Sequence, residues 1–272
     1  MSDAITASDA VTGSDAVTVT ALAVTPVKAL RLQSVSEIEL GPHGPRDNRR
    51  FCVIDERGRM LNGKVLGELQ TVAADYDGVR GELTLRFADG SRVSAVVAYG
   101  DPLSIRFFSH QCGARLLSGP WAQALSAQLG RAVRLVEAEQ AADRGVRGSV
   151  SFISRASLSR LAAEAGEPAV DARRFRMLIE VDGVAAHAED SWVGRRVKVG
   201  ADAVVVCHGH VGRCLTTSRD PETGQPTLPT LDLLRAYRGN LDATEPLPFG
   251  IYGEVAVPGT VRVGDTVTVS DG

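Results

Sequence analysis

No apolar run in the chain approaches the length that crosses a bilayer, so no transmembrane helix is expected. The first twenty residues contain neither Lys nor Arg and no continuous apolar core, so a secretory signal is not expected either. They carry an imperfect repeat, Ser8-Asp9-Ala10-Val11-Thr12 and Ser14-Asp15-Ala16-Val17-Thr18, with few bulky side chains to bury. Such a segment reads as a disordered tail over residues 1–20. Formal net charge is only −3, so no basic field points to nucleic acid. Local clusters (Arg49-Arg50, Arg173-Arg174 with Arg176, Arg195-Arg196) leave room for a small anionic ligand. Cysteines number four, Cys52, Cys112, Cys207 and Cys214, and none forms a Cys-x-x-Cys pair. His208 and His210 lie between Cys207 and Cys214, but the two close ligand pairs of a structural zinc site are missing. No ferredoxin-like cysteine run is present. Cysteines this thinly spread fit a reducing, cytoplasmic setting.

What remains is an ordinary globular composition, 44% hydrophobic and 23% charged, in 272 residues. That length suits one large domain or two ordinary ones and buries a sizeable core without staples. Strand-like segments dominate the first half. Residues 22–30 and 35–40 are followed by a Gly/Pro loop at 41–45. Residues 50–55 read as a strand, with a hairpin turn at 56–59. Further strands fall at 71–76, 82–87 and 92–98. Helical spacing appears at 119–129, closed by Gly130, at 157–165, closed by Gly166, and at 228–237. Strands return at 197–206 and 253–269. The polar stretch 139–149 is the best domain boundary. The reading is an α+β, predominantly β protein: a β-rich N-terminal domain over 21–138, then a β-barrel-like domain over 139–272 with few helices.

Chemistry concentrates in the stretch from Gly212 to Gly224. Cys214 follows Arg213 and precedes Leu215-Thr216-Thr217-Ser218-Arg219 and the turn-rich Asp220-Pro221-Glu222-Thr223-Gly224. A flanking guanidinium favours the thiolate, the form that attacks electrophiles and binds metals. A lone cysteine is more often a small buried hydrophobe, so spacing alone leaves both readings open.

The surroundings add to this. Arg213-Cys214 with Thr216-Thr217 and Asp220-Pro221-x-Thr223-Gly224 resembles the centre of a MOSC domain. Arg174-Phe175-Arg176, Val181-Asp182-Gly183, Glu189-Asp190-Ser191-Trp192, Phe249-Gly250-Ile251-Tyr252 and Gly259–Asp265 resemble its other segments, in order. Pro26-Val27-Lys28 and Asn48-Arg49-Arg50-Phe51 resemble the β-rich domain that precedes MOSC in the mitochondrial amidoxime-reducing component and its bacterial relatives. The resemblance spans residues 21–270.

It implies a molybdenum cofactor, the metal carried on a pyranopterin that ends in a phosphate. Cys214 would be the protein's thiolate ligand to the metal. Lys28, Arg49, Arg50, Lys64, Arg174, Arg176 and Arg213 would hold the anionic pterin or offset its charge. The implied activity is two-electron reduction of N-oxygenated, N-hydroxylated small molecules. Electrons would come from separate proteins, an iron–sulfur carrier and a flavin reductase. The alternatives are sulfur transfer by a persulfide on Cys214 and a non-catalytic molybdenum cofactor carrier. The chain departs from the family at several positions. Asn48 replaces an acid, Phe51 a tryptophan, Lys64 an arginine and Gly212 a serine, and Met177-Leu178 replaces a Pro-Asn pair, which predicts a less polar pocket. The segment 189–192 reads as structural, with Asp190 capping a turn and Trp192 packed at a domain seam. One of His208 and His210 is a candidate proton donor to the pocket, with a surface position equally open.

Overall fold

The computed structural model describes residues 16–139 and 145–270. Most of the tail expected at 1–20 lies outside the described residues. Its end does not behave as a tail: Thr18–Val24 is a strand, and Val19 is 1% exposed.

Four sheets and three α-helices form the described fold. The largest sheet has eight strands, in the order Val267–Ser270, Arg196–Val199, Ala203–Gly212, Pro248–Val257, Val150–Ser154, Ile179–Asp182, Thr18–Val24 and Gln33–Val35. Its one parallel pair, Val150–Ser154 with Ile179–Asp182, is joined through helix α1 (Arg155–Ala165). Ser154 caps that helix by accepting the Ser157 amide at 3.1 Å, and Gly166 ends it at φ 67°. A second sheet joins Phe51–Asp55, Val133–Ala138, His110–Ser118 and Ala98–Phe107. The other two sheets have three strands each, and none of the four closes into a barrel.

Burial follows the side-chain alternation. In Glu37–Gly41 the even positions Ile38 and Leu40 are buried while Glu37 and Glu39 are exposed. Phe51–Asp55 is buried on both faces. Phe51 and Val53 enter the cluster around Trp121 and Leu135, whereas Cys52 and Ile54 enter the one around Ile105 and Phe107. Trp121 donates its indole N–H to the Leu83 carbonyl at 2.8 Å, which fixes its helix, Trp121–Leu129, over the smaller sheets.

The two halves expected from the sequence are not separate in space. Thr18–Val24 pairs with Ile179–Asp182, and Glu37–Gly41 pairs with Gly259–Arg262. Val19, Leu22, Ile38 and Leu40 sit in one core with Ile179, Val197, Ile251 and Trp192. The strand expected over 22–30 stops at Val24, and the chain then turns, with Ala29 at φ 73°. Strands from both sides of the 139–149 stretch therefore share one core.

A buried polar group ties α1 to the last helix, Thr230–Arg238. Glu189 is fully buried, and its Oε1 accepts the Ser154 amide at 3.1 Å and the Ser157 hydroxyl at 2.7 Å. Asp190 does not cap a turn; its carboxylate accepts from Arg238 at 2.7 Å. Trp192 packs edge-on to Phe152, within the joint core. His187 lies beside this group, and burial, then Arg238, lower its imidazole pKa to about 4.

Two outcomes follow. A fragment beginning at residue 139 lacks the antiparallel strand partner of Ile179–Asp182 and uncovers the joint core, so it should not give a cooperative unfolding transition. A fragment that did unfold cooperatively in urea would contradict the shared core. In the full chain, Leu22→Ala should cost about 2–5 kcal/mol by the same measurement. The second outcome concerns pH. The folded His187 resists the proton that the unfolded chain accepts below pH 6.5. Its contribution is intact above pH 6.5 and is lost as pH falls towards 4. The half-buried ring should account for roughly 1–2 kcal/mol of that loss. His187→Gln should remove this part of the stability–pH curve, and an unchanged curve would refute it.

Candidate active site

The strand Ala203–Gly212 runs out of the large sheet directly into Arg213 and Cys214. Cys214 precedes a 3-10 turn, Leu215–Ser218, that is locked by the Thr217 amide and hydroxyl, both 3.0 Å from the Cys214 carbonyl. The Asp-Pro-Glu-Thr-Gly segment then folds on itself. Asp220 Oδ1 accepts the Glu222 and Thr223 amides at 2.9 Å each, and these bonds, the one from Thr223 first, hold its carboxyl below the usual range. Gly224, at φ +71°, lies so close to the Gly67 backbone that a Cβ would come within 2.4 Å of the Gly67 carbonyl. The turn thus presses the Cys214 loop against the N-terminal half.

A cavity of about 410 Å³ opens where these segments meet. Six of the eight residues singled out from sequence line it: Lys28, Arg49, Arg174, Arg176, Arg213 and Cys214. Each cation is placed by backbone. The Lys28 amide donates to Phe51, and the Arg49 amide to Thr25. Arg49 and Arg176 both sit at φ 55°. Arg49 Nη2 donates to the Arg176 carbonyl at 2.7 Å, and Arg176 Nη2 donates to the Leu30 carbonyl at 2.7 Å. Lys28 is 5% exposed, with its ammonium 5.0 Å from the Phe108 ring centroid.

These charges crowd one another. Burial, then the neighbouring Arg49, lower the Arg176 pKa to about 9. Burial likewise lowers that of Arg174, which donates to Thr227 Oγ1 at 2.7 Å while its buried Nη1 has no partner. Buried cations whose like charges are close are stabilised by an anion.

Cys214 is the exposed cysteine of the four. Its Sγ lies 3.4 Å from Thr216 Oγ1. Burial pushes the Cys52 and Cys207 thiols up to about 12 and raises that of Cys112. Arg213 is fastened to backbone on the other side of the site. Its guanidinium donates to the Phe249 and Phe175 carbonyls at 2.8 and 2.9 Å and contacts Met177 Sδ at 3.0 Å.

Two of the residues singled out from sequence, Arg50 and Lys64, lie outside the cavity wall. Arg50 is absent from the cavity wall; its guanidinium pairs with Asp47 at 2.8 Å and Glu137 at 2.7 Å, against Phe51 and Tyr76. Lys64 is exposed, and its neighbours Asn62 and Gly63 line the wall instead. Neither histidine lines the cavity: His208 pairs with Glu254 at 3.0 Å, and the His210 ring faces Asp190 and Thr244. Of the apolar pair, Met177 lines the cavity and Leu178 joins the core. Glu245 and Tyr252 also line it, and no motif pointed to Glu245, which arrives from a loop with no periodic signal.

The chain matches two family models, the MOSC N-terminal beta barrel domain over residues 16–116 and the MOSC domain over residues 139–268. It is 38% identical over 125 residues to mitochondrial amidoxime-reducing component 1 of Mus musculus, covering 42% of this chain and 34% of that protein. For the Homo sapiens protein of the same name the identity is 36% over 124 residues, covering 43% and 35%. The match thus spans about a third of the length of these relatives. Among solved structures, the YuaD protein of Bacillus subtilis aligns over 94% of this chain and 96% of its own at 12% identity, with a TM-score of 0.45. Two family models in sequence order, meeting at a cavity that holds the motif cysteine, make this chain a member of the MOSC family of molybdenum-cofactor-binding domains.

Proposed function

We propose that the protein holds a molybdenum pterin cofactor in this cavity and reduces N-hydroxylated small molecules, drawing electrons from a separate iron–sulfur carrier and flavin reductase. One observation carries the reading: the exposed Cys214 shares a cavity with five cationic side chains. The orphaned Arg174 Nη1 and the mutual crowding of Arg49 and Arg176 fit an anionic group. A single accessible thiol fits a soft metal.

When bound, the cofactor supplies two-electron reduction of an N–O bond, with two protons and release of water. The chain's own residues do the holding. Lys28, Arg49, Arg174 and Arg176 bind the phosphate-bearing pterin. Cys214 provides the thiolate. Arg213, fastened to Phe175 and Phe249, fixes the strand end from which Cys214 projects. Met177 gives the wall an apolar patch for the substrate body. Relatives named amidoxime-reducing components support the substrate class.

Cys214→Ala should lose molybdenum, measured by mass spectrometry of the purified protein, together with N-reductase activity. Cys112→Ala should keep both. A molybdenum-replete, active Cys214→Ala protein would sink the reading. The cations give a separate outcome. Arg174→Gln and Lys28→Gln should each weaken cofactor retention about 10- to 100-fold, the loss of one charge-assisted bond of ~1.5–3 kcal/mol. Arg50→Gln and Lys64→Gln should leave it unchanged. Pterin fluorescence after oxidative release reads all four, and equal losses across them would mean a diffuse charge effect.

A further inference from the structure

The lining of the cavity divides by exposure. Lys28, Arg174, Phe175 and Met177 form a buried floor. The mouth is made by four segments that come to the surface, residues 62–66, 106–110, 145–149 and 212–219. Each puts a residue into the lining, among them Gly63, Phe108, Gly148 and Thr216. The first and last of them touch, since a Cβ on Gly63 would lie 3.0 Å from Thr216 Cγ2.

Each segment also leaves one large apolar side chain beside the opening. Val65, Phe108, Val146 and Leu215 are 45–61% exposed. Exposed apolar residues scattered singly are ordinary. These four come from segments far apart in sequence and surround one opening. The charges follow the same pattern. The four segments carry Lys64, Arg106, Arg147, Arg213 and Arg219 and no Asp or Glu, in a chain whose net charge is −3. Lys64, Arg106 and Arg147 are exposed. Arg106 donates to the Phe108 carbonyl at 3.3 Å, and Arg147 Nη2 lies 3.4 Å from His208 Nδ1. The acid that lines the cavity, Glu245, belongs to another segment. Its Oε2 accepts the Gly212 amide at 2.9 Å where the strand register shifts, in space that a Cβ on Gly212 would fill.

Apolar contacts flanked by cations fit an acidic protein. An anionic bilayer has the same charge, but it takes up apolar groups ~5–10 Å deep. The four side chains here keep about half of their area covered, which suits a surface laid against them. The proposed reduction draws two electrons per N–O bond from outside, and electron transfer weakens steeply with distance, so the donor must come close to the cavity.

We propose that an acidic one-electron carrier docks on this ring, over the mouth, so that electron delivery and substrate entry exclude each other in time. This rests on the reductase reading of the cavity. Two dockings each oxidise one carrier and load one electron onto the bound cofactor. The substrate then enters, its N–O bond breaks with those two electrons and two protons, and water leaves. The contact belongs to the small, transient class below about 1,200 Å², steered by charge and weakened by salt.

The test uses the cofactor-loaded protein with benzamidoxime as substrate and two donors. One is a reduced acidic [2Fe–2S] ferredoxin, and the other is dithionite-reduced methyl viologen, which is small enough to need no docking. Lys64→Glu, Arg147→Glu and Val65→Ser should each lower kcat/KM for ferredoxin about tenfold and leave viologen-driven turnover unchanged. Equal losses with both donors, or no loss with ferredoxin, overturn the docking. Exclusion has its own readout. With viologen saturating, added ferredoxin kept reduced by dithionite should raise the KM for benzamidoxime and leave kcat unchanged; an unchanged KM overturns the alternation. Sedimentation with phosphatidylglycerol vesicles that Lys64→Glu and Arg147→Glu abolish, without any effect on ferredoxin, would assign the ring to a bilayer and overturn the proposal. A loaded protein that binds ferredoxin by calorimetry, more weakly in the three variants, but reduces no benzamidoxime with viologen would sink the reductase reading and leave the docking face standing.

Discussion

Two arginines hold the site together by donating to each other's surroundings. Arg49 donates to the Arg176 carbonyl, and Arg176 donates to the Leu30 carbonyl. Neither bond uses a carboxylate. A carbonyl satisfies the geometry of a guanidinium, so this clasp joins three segments around the cavity. The left-handed backbone at both arginines is costly for residues with a Cβ and persists where packing over-determines it. Here that strain aims two cations into one space.

Local rules made much of the fold legible. The helix stops at Gly130 and Gly166 were visible because a glycine there adopts the left-handed conformation at little cost. The alternation in residues 37–41 marked a strand with one buried face. The hairpin of Ala98–Phe107 and His110–Ser118 was not legible, because Pro102 interrupts the first strand and its apolar positions alternate weakly. Nor was the partnership of Thr18–Val24 with Ile179–Asp182. A strand's partner 160 residues away leaves no mark in its own sequence.

The site was legible in its residue types and less so in their directions. Cys214, Lys28 and Arg174 could be chosen from the motifs around them. That Arg50 turns outward, that Arg213 serves the backbone, and that Leu178 belongs to the core all depend on which way the local backbone faces. Glu245 was invisible for a different reason. Its place depends on an absent side chain at Gly212 and on a register shift between two strands, and both exist only after pairing.

The woven sheet gives the cavity a thermodynamic consequence. Its cations come from residues 28, 49 and 174–176, and its thiol from residue 214. These meet only when Thr18–Val24 docks on Ile179–Asp182 and the 25–28 segment lies along Arg49–Phe51. An anion that bridges them binds the folded chain and not the unfolded one, so it stabilises the fold by mass action, about 2.7 kcal/mol at a hundred times its Kd. The same anion relieves the repulsion between Arg49 and Arg176. The binding of any such anion and the joining of the two halves would then be one equilibrium across the single shared core.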